Sequence, residues 1–276
     1  MTQIIVQGPQ LTRELATEVA EKLHGDCHWH ERYAQIENTL HADLTMLRRQ
    51  YQVDINMLPE QFNAEDCRLI VMDMDSTLIT IECIDEIADF MNLKPQVAAI
   101  TEAAMRGEID FETSLTQRVA LLKGLPVEML NRVYNERLML NSGAELMLKT
   151  VQQAGIKTAL VSGGFTFFTD KLKQRLQLDF TQANVLGEEN GLLTGEVKGA
   201  ICGAQAKADF LLKCTQQLGI DKLQTIAIGD GANDLLMMAE AGLSVAFHAK
   251  PKVQEAADTA FNYCGLDGVL GLLQLA

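Results

Sequence analysis

The run LIVMDMDST at 69–77 opens with four apolar residues in unbroken succession and then carries two carboxylates two positions apart. Apolar residues without polar alternation are what a strand buried on both faces needs, and such strands belong to parallel sheets covered by helices on either side. Arg68–Asp73 is therefore read as a strand with an acidic end. Thr158–Ser162, Thr225–Asp230 and Leu243–Phe247 repeat the pattern, each followed sooner or later by a helical period. The reading is an α/β fold with a parallel sheet.

Outward from these strands the helices have legible ends. Ser142 is a candidate cap for a helix stopping at Gly155, and a helix after Gly203 stops at Gly219. Glu189-Asn190-Gly191 separates two extended stretches between Ala183 and Lys198, the signature of a β-hairpin. Residues 84 to about 140 hold helical periods and no strand, so they read as a helical insertion. Before residue 62 come a strand at Gln3–Val6, a helix at Leu11–Leu23, a strand near Tyr33–Ile36 and a helix near Asp43–Tyr51. The segment from Pro59 to Asn63 reads as a connection, which divides the chain into a small α+β domain, 1–62, and a larger one, 63–276.

Composition limits what these domains do. With 276 residues, 47% of them apolar, the chain is neither disordered nor a small disulfide scaffold. A formal charge of −14 with no basic run argues against nucleic acid as a partner. No apolar run approaches the roughly 18–20 residues of a membrane span, and the amino terminus lacks the features of an export signal. The six cysteines contain no Cys-x-x-Cys pair and are expected to be reduced thiols in a cytoplasmic protein.

Ligands of open α/β sheets collect at the carboxyl ends of the strands. Asp73 and Asp75 end one strand and Asp230 another, and such crowded carboxylates repel unless a cation joins them. Hard oxygen ligands favour Mg²⁺ over zinc. A single Asp there is also what a turn or helix cap uses; two acidic strand ends argue for a site. Ser162-Gly163-Gly164 offers a hydroxyl and flexible backbone that faces an anion or simply turns. Arg118 stands within an apolar helical stripe, three residues from Leu115 and four from Leu122, so it either has a partner there or snorkels past the core edge. Lys207 shares a face with Phe210, Leu211 and Cys214 in the first turn of its helix, where the dipole disfavours a cation, so an anion is expected opposite it. Asn233 and Asp234 follow Asp230 in GDGAND, and Asp234 is a candidate to orient Lys207 or a metal-bound water. His24, Cys27, His28 and His30 lack the paired ligands and remote second half of a metal site. An acidic metal site, an anion cradle and a lysine together make a set suited to phosphoryl transfer.

With DMDST at 73–77, LVSGG at 160–164, Lys207 and GDGAND at 229–234 in this order, the chain resembles the haloacid dehalogenase superfamily of aspartyl-phosphate phosphatases. Glu82, nine positions after Asp73, and MRGEIDFETSLTQRVALLKGLP at 105–126 resemble, within that superfamily, the members that act on O-phosphoserine. The resemblance runs from about Leu69 to the carboxyl terminus. It implies a Rossmann-like three-layer core with a helical cap, Asp73 as nucleophile, Asp75 as general acid and base, and Mg²⁺ held by Asp73, the Asp75 carbonyl and Asp230. It further implies that Ser162, Gly163 and Lys207, with Asn233 nearby, hold the phosphoryl group, that Glu82 meets the substrate ammonium and that Arg118 meets its carboxylate. Glu82 is also what the first turn of a helix favours. Phe111 and Met105 are candidates for apolar lining. Residues 1–62 resemble a shortened ACT-like regulatory module, and a homodimer is possible. Two other outcomes share the core: transfer of the phosphoryl group to a homoserine-like alcohol, and a non-catalytic aspartyl-phosphate switch.

Overall fold

In the computed structural model the described residues, 3–39 and 44–275, form two sheets. The smaller is built from β1 (Gln3–Gln7), α1 (Arg13–Leu23), β2 (Asp26–Trp29), β3 (Tyr33–Glu37), α2 (Leu44–Tyr51) and β4 (Asp54–Leu58). Its strands pair antiparallel in the order β2-β3-β1-β4, which with the βαββαβ chain order is a ferredoxin-like arrangement. Thr12 starts α1 by accepting from the Leu15 N–H at 3.2 Å, and Ala16, Val19, Ala20 and Leu23 bury the helix against the sheet. Of the helix expected near Asp43–Tyr51, Asp43 lies outside the described residues.

Two of these strands, β2 and β4, are not among those expected from the sequence. β2 is a short edge strand with exposed Asp26 and His28. β4 carries Asp54 and Asn56, yet both are fully buried. The Asp54 carboxylate accepts from the backbone N–H groups of Asn262, Tyr263 and Cys264 at 2.8, 3.1 and 2.8 Å. Asn56 exchanges both of its amide hydrogen bonds with the backbone of Ala260. Polar groups paired in this way are tolerated inside a protein, and here they join the two sheets edge to edge.

The larger unit comprises β5 (Leu69–Met72), α3 (Cys83–Phe90), α4 (Lys94–Met105), α5 (Phe111–Ala120), α6 (Glu128–Glu136), α7 (Ala144–Gln153), β6 (Lys157–Phe165), α8 (Thr166–Leu176), β7 (Phe180–Glu189), β8 (Leu192–Lys198), α9 (Ala204–Leu218), β9 (Thr225–Gly229), α10 (Leu235–Glu240), β10 (Leu243–Phe247), α11 (Pro251–Ala256), β11 (Thr259–Phe261) and α12 (Gly268–Leu272). The seven strands run β11-β10-β9-β5-β6-β7-β8. All neighbours are parallel except β7 and β8, the hairpin, so the sheet is mixed rather than wholly parallel. Asn190 and Gly191 turn the hairpin at φ of 52° and 77°, the left-handed pair that a tight two-residue loop needs.

Alternation along the central strands makes three layers. Ile70, Met72, Leu160, Ile226 and Ile228 face one core with Met147, Val151, Phe168 and Leu172. Leu69, Val71, Ala159, Val161 and Ala227 face the other with Phe210, Leu211, Cys214 and Met237. The sheet is therefore buried on both faces, as its unbroken apolar runs require.

Ser142 does not cap α7. Gly143 precedes that helix at φ 77°, and the Ser142 carbonyl is occupied by the Leu266 N–H at 2.8 Å. A Cβ at Gly143 would run into the Asp267 carboxylate, so glycine is required there by space as well as by conformation. The helices α3 to α6 leave and rejoin the core at one point, where Ile79 and Leu140 form an antiparallel bridge.

Candidate active site

Strand register brings the acidic ends together. Met72 pairs with Leu160 on one side and with Ile228 on the other, so Asp73 is level with Val161 and Gly229, and Ser162 and Asp230 follow one step on. The chain moves from β5 to β6 and β7 in one direction, then to β9, β10 and β11 in the other. The crevice at such a reversal is where open α/β sheets bind ligands.

Lys207 reaches this crevice from α9. It is fully buried, and its Nζ donates to Asp73 Oδ1 at 2.6 Å and to Asp234 Oδ1 at 2.7 Å. These two carboxylates are the anions that its place on an apolar face called for. Burial works against the ammonium, but the two carboxylates outweigh it and hold Lys207 protonated. Asp234 also accepts from the Gly231 N–H at 3.0 Å, which fixes the turn after β9. Burial pushes the Asp73 carboxyl up, and the ammonium beside it pulls the other way.

The segment after Asp73 leaves strand geometry at once. Ser76 adopts φ 58°, and the Asp75 carboxylate accepts from the Cys83 N–H at 3.3 Å. Burial and the neighbouring Glu82 raise the Asp75 carboxyl to about 7. Asp230 is raised to about 6 by burial and by Asp234, while its Oδ1 accepts from the Thr77 hydroxyl at 3.1 Å. Asp73, Asp230 and Asp234 present oxygens within 4.8 Å of one another, the one such group among the described residues. Three carboxylates sharing a single ammonium leave excess negative charge in a buried place. That donor set fits a hard divalent cation.

A cavity of about 120 Å³ opens above these groups, lined by Asp73, Asp75, Ser162, Gly163, Asp230 and Asn233 from the core. Glu82, Phe111 and Arg118 line it from the helical insertion. Lys207 and Asp234 stand behind Asp73. The Ser162 Oγ accepts from the Gly164 N–H at 2.8 Å, which leaves its own O–H free to donate. Glu82 precedes α3 without capping it; its Oε1 instead accepts from the Ser76 hydroxyl at 2.7 Å. Arg118 donates from Nε to its own helix at the Ser114 carbonyl, 3.3 Å, and forms no ion pair among the described residues. The Met105 side chain lies outside the described residues.

Four supporting residues carry no role in the sequence reading. Thr77 holds Asp230, and Ser76 holds Glu82. Asn184, buried in β7, donates to the Gly163 carbonyl at 2.8 Å and accepts from the Cys202 N–H at 2.7 Å, so it fixes the Ser-Gly-Gly turn. Asn141 donates to the carbonyls of Thr77 and Ile79 at 2.8 and 3.1 Å. A buried asparagine within a strand is the one sequence signal that would have pointed to Asn184.

Residues 67–242 match the family model described as haloacid dehalogenase-like hydrolase. The chain belongs to the haloacid dehalogenase-like hydrolases. A phosphoserine phosphatase of Polaromonas sp. (strain JS666) is 54% identical over 225 residues, which cover 80% of this chain and 95% of that protein. Among solved structures of this hydrolase family, a HAD family hydrolase from Salmonella enterica serovar Typhi superposes with a TM-score of 0.89 at 34% identity, over 99% of both chains. A probable phosphoserine phosphatase from Vibrio cholerae gives 0.84 at 40% identity, over 100% of this chain and 87% of that one. The hydrolase has no helix, among its described residues, long and apolar enough to cross a membrane.

Proposed function

We propose that this protein hydrolyses O-phospho-L-serine to L-serine and inorganic phosphate through a phosphorylated Asp73, the step that completes serine synthesis. The observation that carries this reading is one small cavity with Asp73, held from behind by Lys207, at its floor and two side chains of opposite charge on its wall, Glu82 and an Arg118 with no ion pair among the described residues. A phosphorylated amino acid matches that distribution: its phosphate meets the floor, its ammonium Glu82 and its carboxylate Arg118, whose planar fork suits a carboxylate better than lysine would. The 54% identity to a phosphoserine phosphatase supports the same substrate.

The steps follow from the groups present. Asp73 attacks phosphorus with the oxygen that Lys207 does not hold, forming a P–O bond as the bond to the seryl oxygen breaks. Asp75, with its carboxyl raised to about 7, gives its proton to that leaving oxygen and then takes one from the water that releases phosphate from Asp73. Lys207 has three donors and uses two on Asp73 and Asp234, which leaves one for a phosphoryl oxygen. The Ser162 hydroxyl and the Gly163 amide supply the rest, with Asn233 alongside. Mg²⁺ would be held by Asp73, Asp230 and the main-chain carbonyl of Asp75, and when bound it supplies positive charge against the carboxylates and the phosphate.

Residues 63–276 then act as the catalytic domain and the insertion at about 84–140 as a cap that excludes bulk water when closed. Residues 1–62 are an ACT-like module in the same reading. The test is the specificity of the enzyme and of Arg118→Ala toward phosphoserine and ethyl phosphate, which lacks both charged groups. Loss of a desolvated charge pair contributes on the order of 2–5 kcal/mol, so the substitution should lower kcat/KM for phosphoserine roughly thirtyfold or more and leave ethyl phosphate nearly unchanged. Equal losses for the two esters would remove Arg118 from substrate recognition.

A further inference from the structure

Strands β6 and β7 pair at Val161 with Gln182 and again at Phe165 with Asn184, so Ser162, Gly163 and Gly164 stand opposite the single residue Ala183. A bulge of this kind interrupts the ladder, and the Gly163 carbonyl needs another donor. Asn184, buried in β7, supplies it: Nδ2 donates to the Gly163 carbonyl at 2.8 Å, while Oδ1 accepts from the Cys202 N–H at 2.7 Å. The amide has one orientation only, because one neighbour can only donate and the other can only accept. On the far side of the same peptide unit the Gly164 N–H donates to the Ser162 Oγ at 2.8 Å. The peptide between Gly163 and Gly164 is thus held at both ends. Space around it is tight as well, since a Cβ at Gly164 would stand 3.0 Å from both the Asp75 carboxylate and the Ser162 Oγ.

We propose that Asn184 is a positioning residue for phosphoryl transfer, acting through a relay that runs from its amide through the Gly163–Gly164 peptide to the Ser162 hydroxyl. With its oxygen engaged by Gly164, that hydroxyl keeps its proton for the cavity, which Ser162 and Gly163 line beside Asp73. Hydrogen bonds in series polarise one another, so the Asn184 amide strengthens this donor as well as aiming it. Without Asn184 the peptide is free to turn. Turning would withdraw the Gly164 N–H from Ser162 and bring a carbonyl oxygen toward the negatively charged phosphoryl group. Asn184 is not among the residues that line the cavity, so its effect on the reaction passes through Ser162. This inference deepens the proposed hydrolysis and rests on it, since it concerns how the phosphoryl group of that substrate is held.

A double-substitution cycle on Asn184 and Ser162 tests the relay, with phosphoserine and ethyl phosphate as substrates of the full chain. Asn184→Ala should lower kcat/KM roughly tenfold or more for both esters, since the relay serves the phosphoryl group they share. In a Ser162→Ala background the same change should cost about twofold or less, because the group it acts through is gone. General damage to packing would instead carry over undiminished. Asn184→Thr, suited to a strand and able to keep an acceptor for the Cys202 N–H, takes the place of Asn184→Ala should that protein not fold. An unchanged kcat/KM in the single variant, or a loss as large without the Ser162 hydroxyl as with it, would overturn the proposal. A protein that hydrolyses ethyl phosphate and not phosphoserine would sink the substrate reading alone, and the cycle would then be read on ethyl phosphate.

Discussion

Lys207 occupies the first turn of α9, where the helix dipole opposes a cation, and its side chain is wholly buried. It is stable there because Asp73 and Asp234 each accept from it within hydrogen-bond distance, and that conflict between residue type and position is what made it legible in the sequence. Arg118 shows the same conflict with no ion pair among the described residues, which is consistent with the substrate contact proposed for it. The supporting hydroxyls were harder to see, because Thr77 and Ser76 look like ordinary turn residues within DMDST. Their roles depend on Asp230 and Glu82, one of them 153 positions away in the chain. Thr77→Val keeps shape and removes the donor to Asp230. In the proposed enzyme the Mg²⁺ concentration for half-maximal activity should rise about 10-fold or more, the usual effect of losing a hydrogen bond that orients a metal ligand. An unchanged Mg²⁺ requirement in steady-state assays would mean that Asp230 needs no such support.

At the scale of elements, the buried parallel strands announce themselves because burial on two faces demands continuous apolar residues. β5, β9 and β10 therefore appear in the sequence nearly as they stand in the structure. β4 and β11 do not, since β4 uses Asp54 and Asn56 to reach a neighbouring sheet and β11 has three residues. Helix starts follow local chemistry only where the cap is a side chain: Thr12 and Asp110 cap α1 and α5, whereas α7 begins at a glycine chosen for its closeness to Asp267. α5 carries both Phe111 and Arg118, so its start bears on the cavity wall. Asp110 Oδ1 accepts from the Thr113 N–H at 2.7 Å. Asp110→Ala removes that amino-terminal cap and should lower the unfolding midpoint measured with denaturant. No change in the midpoint would show that packing alone fixes the helix start.

At the scale of the molecule, the two sheets are joined by buried polar groups as well as by apolar packing, since Ile5, Tyr33 and Leu58 belong to one core with Phe261 and Leu270. Asp54 gives one carboxylate to three backbone donors at the end of β11. Asp54→Ala leaves those donors buried and unpaired, so it should destabilise the protein by on the order of 3 kcal/mol, read as a lower unfolding midpoint in urea. An unshifted midpoint would mean that water replaces the carboxylate at no cost. The chemistry rests on the register of the larger sheet, because Asp73, Ser162 and Asp230 meet only when β5, β6 and β9 are aligned. The most direct measurement follows the phosphorus itself. Turnover of phosphoserine labelled in its phosphate, quenched in acid and mapped by peptide, should put the label on Asp73 and leave none on an Asp73→Asn protein. Label on another residue, or phosphate release at the normal rate from Asp73→Asn, would contradict a covalent Asp73 intermediate.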